Sequence, residues 1–350
     1  MHEQYMNRCL QLALLGAGNV APNPMVGAVL VHEDHIIGEG FHRQYGQSHA
    51  EVNCINSVAE QNKKLVPGST LYVSLEPCAH FGKTPPCADM IISHKIKRVV
   101  TGCGDPFTEV NGKGIAKMKK AGIDVIENIL KEECIDINKR FFTYHNKHRP
   151  FIILKWAETA DGFIAGPAGD RLKISNEFSD RLVHKWRSES AAIMVGTNTA
   201  LSDNPSLTTR LWKGNNPVRV IIDSNLRLPT SLNIFTDGHK TIVLNTIKED
   251  MAGPISYIKI MKDEFVNSIC KVLYQLNLQS VLIEGGSILL TAFIDAGIWD
   301  EAIIIKNETL AAGNGMLAPK LSGASAVKKE KIFSDSILYF KNDGAVLQSH

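Results

Sequence analysis

His49-Ala50-Glu51, Pro77-Cys78 and Cys87 supply one imidazole, two thiolates and one carboxylate. That set can remove an amino group from a heterocycle by hydrolysis. Three soft or borderline protein ligands hold Zn²⁺ and leave its fourth tetrahedral position for water. Water so bound loses a proton near neutral pH, without a strong base. Glu51, two residues past the first ligand, is placed to shuttle protons rather than to bind metal. A structural zinc site would fill all four positions with protein ligands. His80, close to Cys78, is the candidate for such a fourth ligand and defines the rival structural reading.

The elements that must position these residues read as an alternating α/β unit. A helix is predicted over roughly 3–17, followed by the proline-containing loop 19–25 and strands at 26–31 and 36–41, separated by the polar turn 32–35. A helix starts near His49, a strand covers 71–75, and another helix starts near Cys87. A strand at 98–102, a helix around 114–121 and a short strand at 124–126 complete the pattern. Strands interleaved with helices predict a mostly parallel central sheet covered on its faces. In this arrangement His49 and Glu51 sit at a helix N-terminus, where partial positive charge favours anionic side chains.

The basic, proline-terminated stretch His145-Asn146-Lys147-His148-Arg149-Pro150 marks a boundary, giving domains over 1–147 and 148–350. Two domains also suit a chain of 350 residues. Beyond the boundary a second alternation begins, with apolar runs at 151–157, 191–195, 218–222, 241–244, 281–283 and 302–305. Helical patterns lie at 177–187, 264–276 and 288–296. The formal net charge is +2 with no long basic run, which argues against a polymeric nucleic-acid partner. Cys9, Cys54, Cys78, Cys87, Cys103, Cys134 and Cys270 are an odd, thinly spread set rather than a disulfide framework. The first residues show early charge and helical spacing (Met6, Cys9, Leu10, Ala13) instead of a signal peptide's apolar core. No stretch approaches a membrane span. The expectation is a cytoplasmic protein, assembled as a homo-oligomer.

The pairing of His49-x-Glu51 with Pro77-Cys78 resembles the signature of zinc deaminases as a class. Nucleic-acid and cytidine deaminases usually space their cysteines C-x-x-C, whereas eight residues separate Cys78 from Cys87 here. Leu75 to Cys87 (LEPCAHFGKTPPC) is similar to the deaminase domain of the bifunctional riboflavin-biosynthesis deaminase/reductase family. Further matches are Pro22–Gly27 (PNPMVG), Gly40-Phe41-His42, His49–Val52 and Gly104-Asp105-Pro106. The resemblance implies a cytidine-deaminase-like fold, one zinc on His49, Cys78 and Cys87, and Glu51 as the catalytic acid and base. It implies that Asn23, His42, His80, Lys83 and Asp105 contact a phosphorylated pyrimidine substrate. From its residue type alone, Asn23 is equally a turn residue before Pro24 or a reader of a ring edge.

In the second half, Ile283–Ser287 (IEGGS) ends a strand, turns through two glycines and enters a helix. Such a turn aims backbone N–H groups at an anion, although a plain tight turn has the same pattern. It is not the G-x-G-x-x-G dinucleotide fingerprint, so a standard Rossmann domain is not expected. Lys155–Gly162, Val195–Arg210, Ile222-Asp223-Ser224 and Glu284-Gly285-Gly286 resemble the family's reductase domain, which implies a dihydrofolate-reductase-like α/β fold. By that resemblance Ala157, Lys173, Thr199, Asp203, Ser224, Gly286, Ser287, Ile288, Leu289, Leu290, Thr291 and Ala292 would face NADPH. Arg171, Arg187, Leu207, Arg210 and Glu284 would face the substrate. Guanidinium groups pair bidentately with phosphate oxygens, which suits Arg187 and Arg210. Asp161-Gly162 reads as a turn. The sequence departs from the family at Arg171 and Lys173, where many members carry a small polar residue and a tryptophan. That departure reads as a changed phosphate contact, with a weakened reductase as the alternative. Two rivals from other classes are a nucleic-acid-editing deaminase with an accessory RNA-binding half and a non-catalytic zinc-stabilised scaffold.

Overall fold

The computed structural model describes residues 1–81 and 85–345. The chain divides into two compact units, Met1–Lys147 and His148–His350.

The first unit runs α1 (His2–Leu14), β1 (Gly27–His32), β2 (His35–Phe41), α2 (Ala50–Asn56), β3 (Thr70–Leu75), α3 (Cys87–Ser93), β4 (Arg98–Cys103), α4 (Lys113–Lys120), β5 (Asp124–Ile126), α5 (Lys131–Ile137) and α6 (Lys139–Lys147). Its sheet order is β2-β1-β3-β4-β5. Met6, Cys9 and Ala13 recur at helical spacing and are fully buried, so α1 lies on the sheet by one face. Gly27 permits this: a Cβ there would stand 2.0 Å from the carbonyl oxygen of Cys9. The mostly parallel sheet expected for this unit is mixed. β3, β4 and β5 are parallel, while β1 is antiparallel to both β2 and β3. The β1–β2 pair has a local cause: Glu33 and Asp34 both adopt positive φ (46° and 64°), the backbone of a two-residue hairpin that returns β2 along β1.

The second unit runs β6 (Phe151–Glu158), β7 (Phe163–Ala165), α7 (Glu177–Ser188), β8 (Ala192–Gly196), α8 (Thr197–Asp203), β9 (Val218–Ile222), α9 (Asn233–Thr236), β10 (Thr241–Asn245), β11 (Asp250–Ala252) and β12 (Ile255–Lys259). It continues with α10 (Phe265–Gln275), β13 (Ser280–Ile283), α11 (Ser287–Asp295), β14 (Glu301–Asn307), β15 (Met316–Leu317), β16 (Ala324–Ile332) and β17 (Asp335–Asn342). The main sheet has the order β11-β12-β10-β9-β8-β13-β6-β14-β17-β16. Every pair from β12 to β14 is parallel, and the outer strands β11, β17 and β16 pair antiparallel. Parallel strands are covered on both faces and therefore read as unbroken apolar runs. On β6, Ile152, Leu154 and Trp156 enter one core while Phe151 and Ile153 enter another. Arg149 and Asp300 tie the start of β6 to the start of β14. Arg149 donates Nη1 and Nη2 to the two carboxylate oxygens at 2.6 and 2.8 Å, and Ile152 N–H donates to Asp300 Oδ2 at 2.8 Å.

Among the described residues no helix is long and apolar enough to cross a membrane.

Candidate functional site

Three segments of the first unit deliver the metal ligands. His49 is the N-cap residue of α2, with extended backbone, and its own side chain does not cap that helix. Its Nδ1 stands 3.6 Å from Cys78 Sγ and 3.4 Å from Cys87 Sγ. Cys78 follows the end of β3, Cys87 opens α3, and the Cys87 N–H donates to Cys78 Sγ at 3.3 Å. The three ligand atoms lie within 4.8 Å of one another. A tetrahedral zinc with bonds near 2.3 Å to sulfur and 2.0 Å to nitrogen needs N···S edges of about 3.5 Å. The donor set meets that requirement, so these residues fit zinc. The Cys78 thiol is held low, toward thiolate, by the hydrogen bond from the Cys87 thiol and then by His49 and the Cys87 N–H.

Glu51 lies in the first turn of α2 and is 4% exposed. Burial pushes its carboxyl up, against the pull of His49. His42 is equally buried and has both ring nitrogens engaged: Nδ1 meets Ser48 O at 3.1 Å, and Nε2 meets Asn23 Nδ2 at 3.1 Å. Nδ1 must donate to the carbonyl, so Nε2 accepts from the Asn23 amide N–H, which fixes the amide's orientation with Oδ1 on the side away from that bond. Burial lowers the His42 ring below its usual value, in keeping with a neutral imidazole. His80 Nδ1 is buried without a hydrogen-bond partner among the described residues, and its ring meets Phe107 edge-on at 5.7 Å. Asp105 is buried and its carboxyl is pushed up to about 7 by that burial. Lys83 lies outside the described residues. The motif reading gave no role to Glu76, although it precedes Pro77-Cys78 directly. Its carboxylate accepts from the N–H groups of Asp105 (3.4 Å), Gly112 (2.9 Å), Gly114 (3.0 Å) and Ile115 (3.2 Å). One side chain thus fixes the loop that carries Asp105 to the strand end that carries Cys78.

In the second unit the carboxyl ends of β6, β8, β9 and β13 open into a cleft of about 1100 Å³. Arg171, Arg187, Leu207, Arg210 and Glu284 stand in its walls, as do Ala157, Lys173, Thr199, Asp203 and Ser224. Gly286, Ser287, Ile288, Leu289, Leu290 and Ala292 also line it; Thr291 does not. Arg187 and Glu284 are paired with each other through two bonds of 2.8 and 2.7 Å, and Arg187 Nη1 reaches Thr208 O at 3.2 Å. Burial alone would raise the Glu284 carboxyl, but Arg187 and Lys155 outweigh it and hold it below the usual range. Lys173 is paired with Asp180. Gly286 takes φ 65° and is the N-cap of α11, so the N-cap position itself has no side chain to bond the first N–H groups of the helix. Its N–H groups are therefore available to a phosphate, the group by which NADPH would anchor. A Cβ on Gly285 would stand 3.0 Å from Thr199 Cγ2, so the glycine pair also allows the close approach of α8. Lys155 and His184 line the cleft as well and were not singled out from sequence. A lysine inside a strand and a histidine inside a helix carry no local signal of this kind.

The comparisons with known proteins bear on both units. The cytidine and deoxycytidylate deaminase zinc-binding region matches residues 1–103, and the RibD C-terminal domain matches 150–328. The riboflavin biosynthesis protein RibD of Aquifex aeolicus (strain VF5) is 37% identical, over 97% of this chain and 98% of its own. That of Escherichia coli (strain K12) is 33% identical, over 93% and 89%. The crystal structure of a diaminohydroxyphosphoribosylaminopyrimidine deaminase/5-amino-6-(5-phosphoribosylamino)uracil reductase from Thermotoga maritima superposes with a TM-score of 0.88. It is 38% identical, with 97% of this chain and 98% of that one covered. Acinetobacter baumannii RibD gives 0.89 at 31% identity over the same shares. With full-length relatives at this identity, and with both domain types matched in order, the chain belongs to the RibD family of bifunctional riboflavin-biosynthesis deaminase/reductases.

Proposed function

We propose that residues 1–147 form a zinc-dependent deaminase and residues 148–350 an NADPH-dependent reductase, acting in turn on one riboflavin precursor. The first would deaminate 2,5-diamino-6-(5-phosphoribosylamino)pyrimidin-4-one by hydrolysis. The second would reduce the ribosyl side chain of the product to ribityl. The observation that carries this reading is the convergence of His49 Nδ1, Cys78 Sγ and Cys87 Sγ beside a buried Glu51.

His49, Cys78 and Cys87 would hold the zinc, which supplies a water molecule ionised near neutral pH. Glu51, whose burial raises its proton affinity, takes the proton of the attacking water and returns protons to the ring nitrogen and the departing amine. Asn23 presents Oδ1 and therefore reads an N–H on the ring edge, with His42 setting the amide's orientation. His80, Lys83 and Asp105 complete the substrate contacts. The stranded Nδ1 of His80 supports its assignment.

In the second unit NADPH would supply hydride to the sugar carbon. The uncapped N-terminus of α11 and the wall formed by Ala157, Lys173, Thr199, Asp203, Ser224 and Gly286–Ala292 would seat it. Arg210, supported by Arg171, would clamp the substrate's phosphate, while Arg187 and Glu284 form a fixed pair beside Leu207 that orients the substrate. The protein's work here is positioning rather than covalent chemistry. We place the enzyme in the cytoplasm as a homo-oligomer without nucleic-acid partners; seven free cysteines suit a reducing compartment.

The test gives the zinc-loaded protein the diaminopyrimidinone ribotide plus NADPH and follows ammonia release and NADPH oxidation together. Both should proceed, and blocking deamination should stop NADPH use. Ammonia release with constant NADPH would leave only the deaminase, with the second unit's reaction lost or changed.

A further inference from the structure

His184 sits in α7, is 6% exposed, and lines the reductase cleft. Its Nδ1 accepts the backbone N–H of Arg210 at 3.0 Å. That nitrogen therefore carries no proton, and a neutral ring bears its hydrogen on Nε2. Arg210 belongs to the irregular segment 204–217 between α8 and β9, so no helix or strand ladder holds its backbone. Leu207 in the same segment takes φ 53°, a conformation that a leucine keeps only when its surroundings impose it. Side chains of the surrounding elements supply that support: Arg187 binds Thr208 O at 3.2 Å, Arg219 binds Ser206 O at 3.3 Å, and His184 binds Arg210 N. The Arg210 guanidinium is in turn steered by Nη1 donating to Thr208 Oγ1 at 3.1 Å.

We propose that His184 is a positioning residue of the reductase: its unprotonated Nδ1 holds the Arg210 backbone so that the guanidinium meets the substrate's phosphate, and protonation of the ring releases that hold. The inference rests on the reading of Arg210 as a phosphate clamp. A protonated imidazole carries hydrogens on both nitrogens and would set an N–H against an N–H. The charged groups facing the ring are Asp180 and Arg187 from its own helix, Arg210 from the loop and Glu284 from the end of β13. Burial lowers the ring's proton affinity most, the two arginines add to this, and the two carboxylates oppose it. The hold is thus intact at neutral pH and fails only in acid.

The test uses the full-length holoenzyme, already-deaminated phosphorylated substrate and NADPH, with kcat and KM measured from about pH 5 to about pH 8. His184→Leu removes the acceptor and should raise KM about threefold to tenfold across the range, with kcat little changed, as expected for one lost hydrogen bond. His184→Asn places Oδ1 where Nδ1 stands, so it should restore the KM seen at neutral pH. The substrate's own phosphate ionises near pH 6 and gives every variant the same acid limb. Only the wild type should show an additional rise of KM in acid, absent from His184→Asn. A substrate lacking the phosphate should be indifferent to His184→Leu. Wild-type KM and an unaltered acid limb in both variants would overturn the proposal, as would an equal fall of kcat in both. Arg210→Gln separates the two claims. No change in its KM would refute the phosphate clamp itself, whereas a raised KM beside an unaffected His184→Leu would refute only the role of His184.

Discussion

The two sites of this chain are built from different materials. In the deaminase the chemistry is concentrated in side chains: three ligand atoms within 4.8 Å, a buried carboxylate beside them, and a histidine spent on aiming an amide. In the reductase it is spread over strand ends, an uncapped helix terminus, a glycine pair and an irregular segment held by side chains of neighbouring elements. Replacing one atom should silence the first kind of site, while the second should lose affinity by degrees.

The sharpest test of that contrast is Glu51→Gln. It keeps the zinc ligands and should lower ammonia release about 10²- to 10⁴-fold, the usual span for a lost general acid–base. Bound zinc, measured by elemental analysis, should be retained, and reduction of pre-deaminated substrate should be unchanged. Loss of both activities together would break the comparison.

Next in size is Gly286→Val. The native φ of 65° is one that a β-branched residue resists, at a cost of about 1–3 kcal/mol. NADPH affinity, read by fluorescence titration, should fall about tenfold or more. Ammonia release should not move.

A third prediction concerns stability. Arg219, 1% exposed, donates Nη1 and Nη2 to Asp237 at 2.7 and 2.6 Å and holds that carboxyl below its ordinary value. A lowered native pKa gives stabilisation that is complete above the ordinary carboxylate value and is lost as pH falls through the lowered one. Asp237→Asn should cost the second unit about 1–3 kcal/mol at neutral pH. Urea unfolding of the variant should then show a weaker loss on further acidification than the wild type does.

The smallest effect is expected at Lys173→Ala. Its partner Asp180 is half-buried, but the lysine is 69% exposed, so the pair contributes under about 1 kcal/mol. A large fall in reductase kcat/KM in this variant would show that the departure from the family pattern is an active adaptation.

The contrast also explains what could be read from the sequence. Metal chemistry dictates residue types at set spacings, so His49, Glu51, Cys78 and Cys87 announced themselves. Most strands of both units were also visible, because parallel strands buried on two faces are continuous apolar runs. The antiparallel pairing of β1 with β3 was hidden, because the long stretch between β2 and β3 fixes no strand direction, whereas the short turn at Glu33 and Asp34 already requires β1 and β2 to run antiparallel. β16, largely exposed and rich in lysine, gave no apolar run to find. Glu76 and His184 were missed for another reason. Each works by receiving backbone N–H groups from segments remote in sequence, a relation that only the folded chain displays.

The bidentate grip of Arg149 on Asp300 decides where this chain can be divided. The carboxylate is 5% exposed and joins the openings of β6 and β14, while the matched RibD C-terminal domain begins one residue after the arginine. A truncation made at that similarity boundary would strand a buried anion, at a cost of about 3–5 kcal/mol. The smallest stretch that can stand alone as a reductase is therefore set by an ion pair, and it reaches back at least to Arg149.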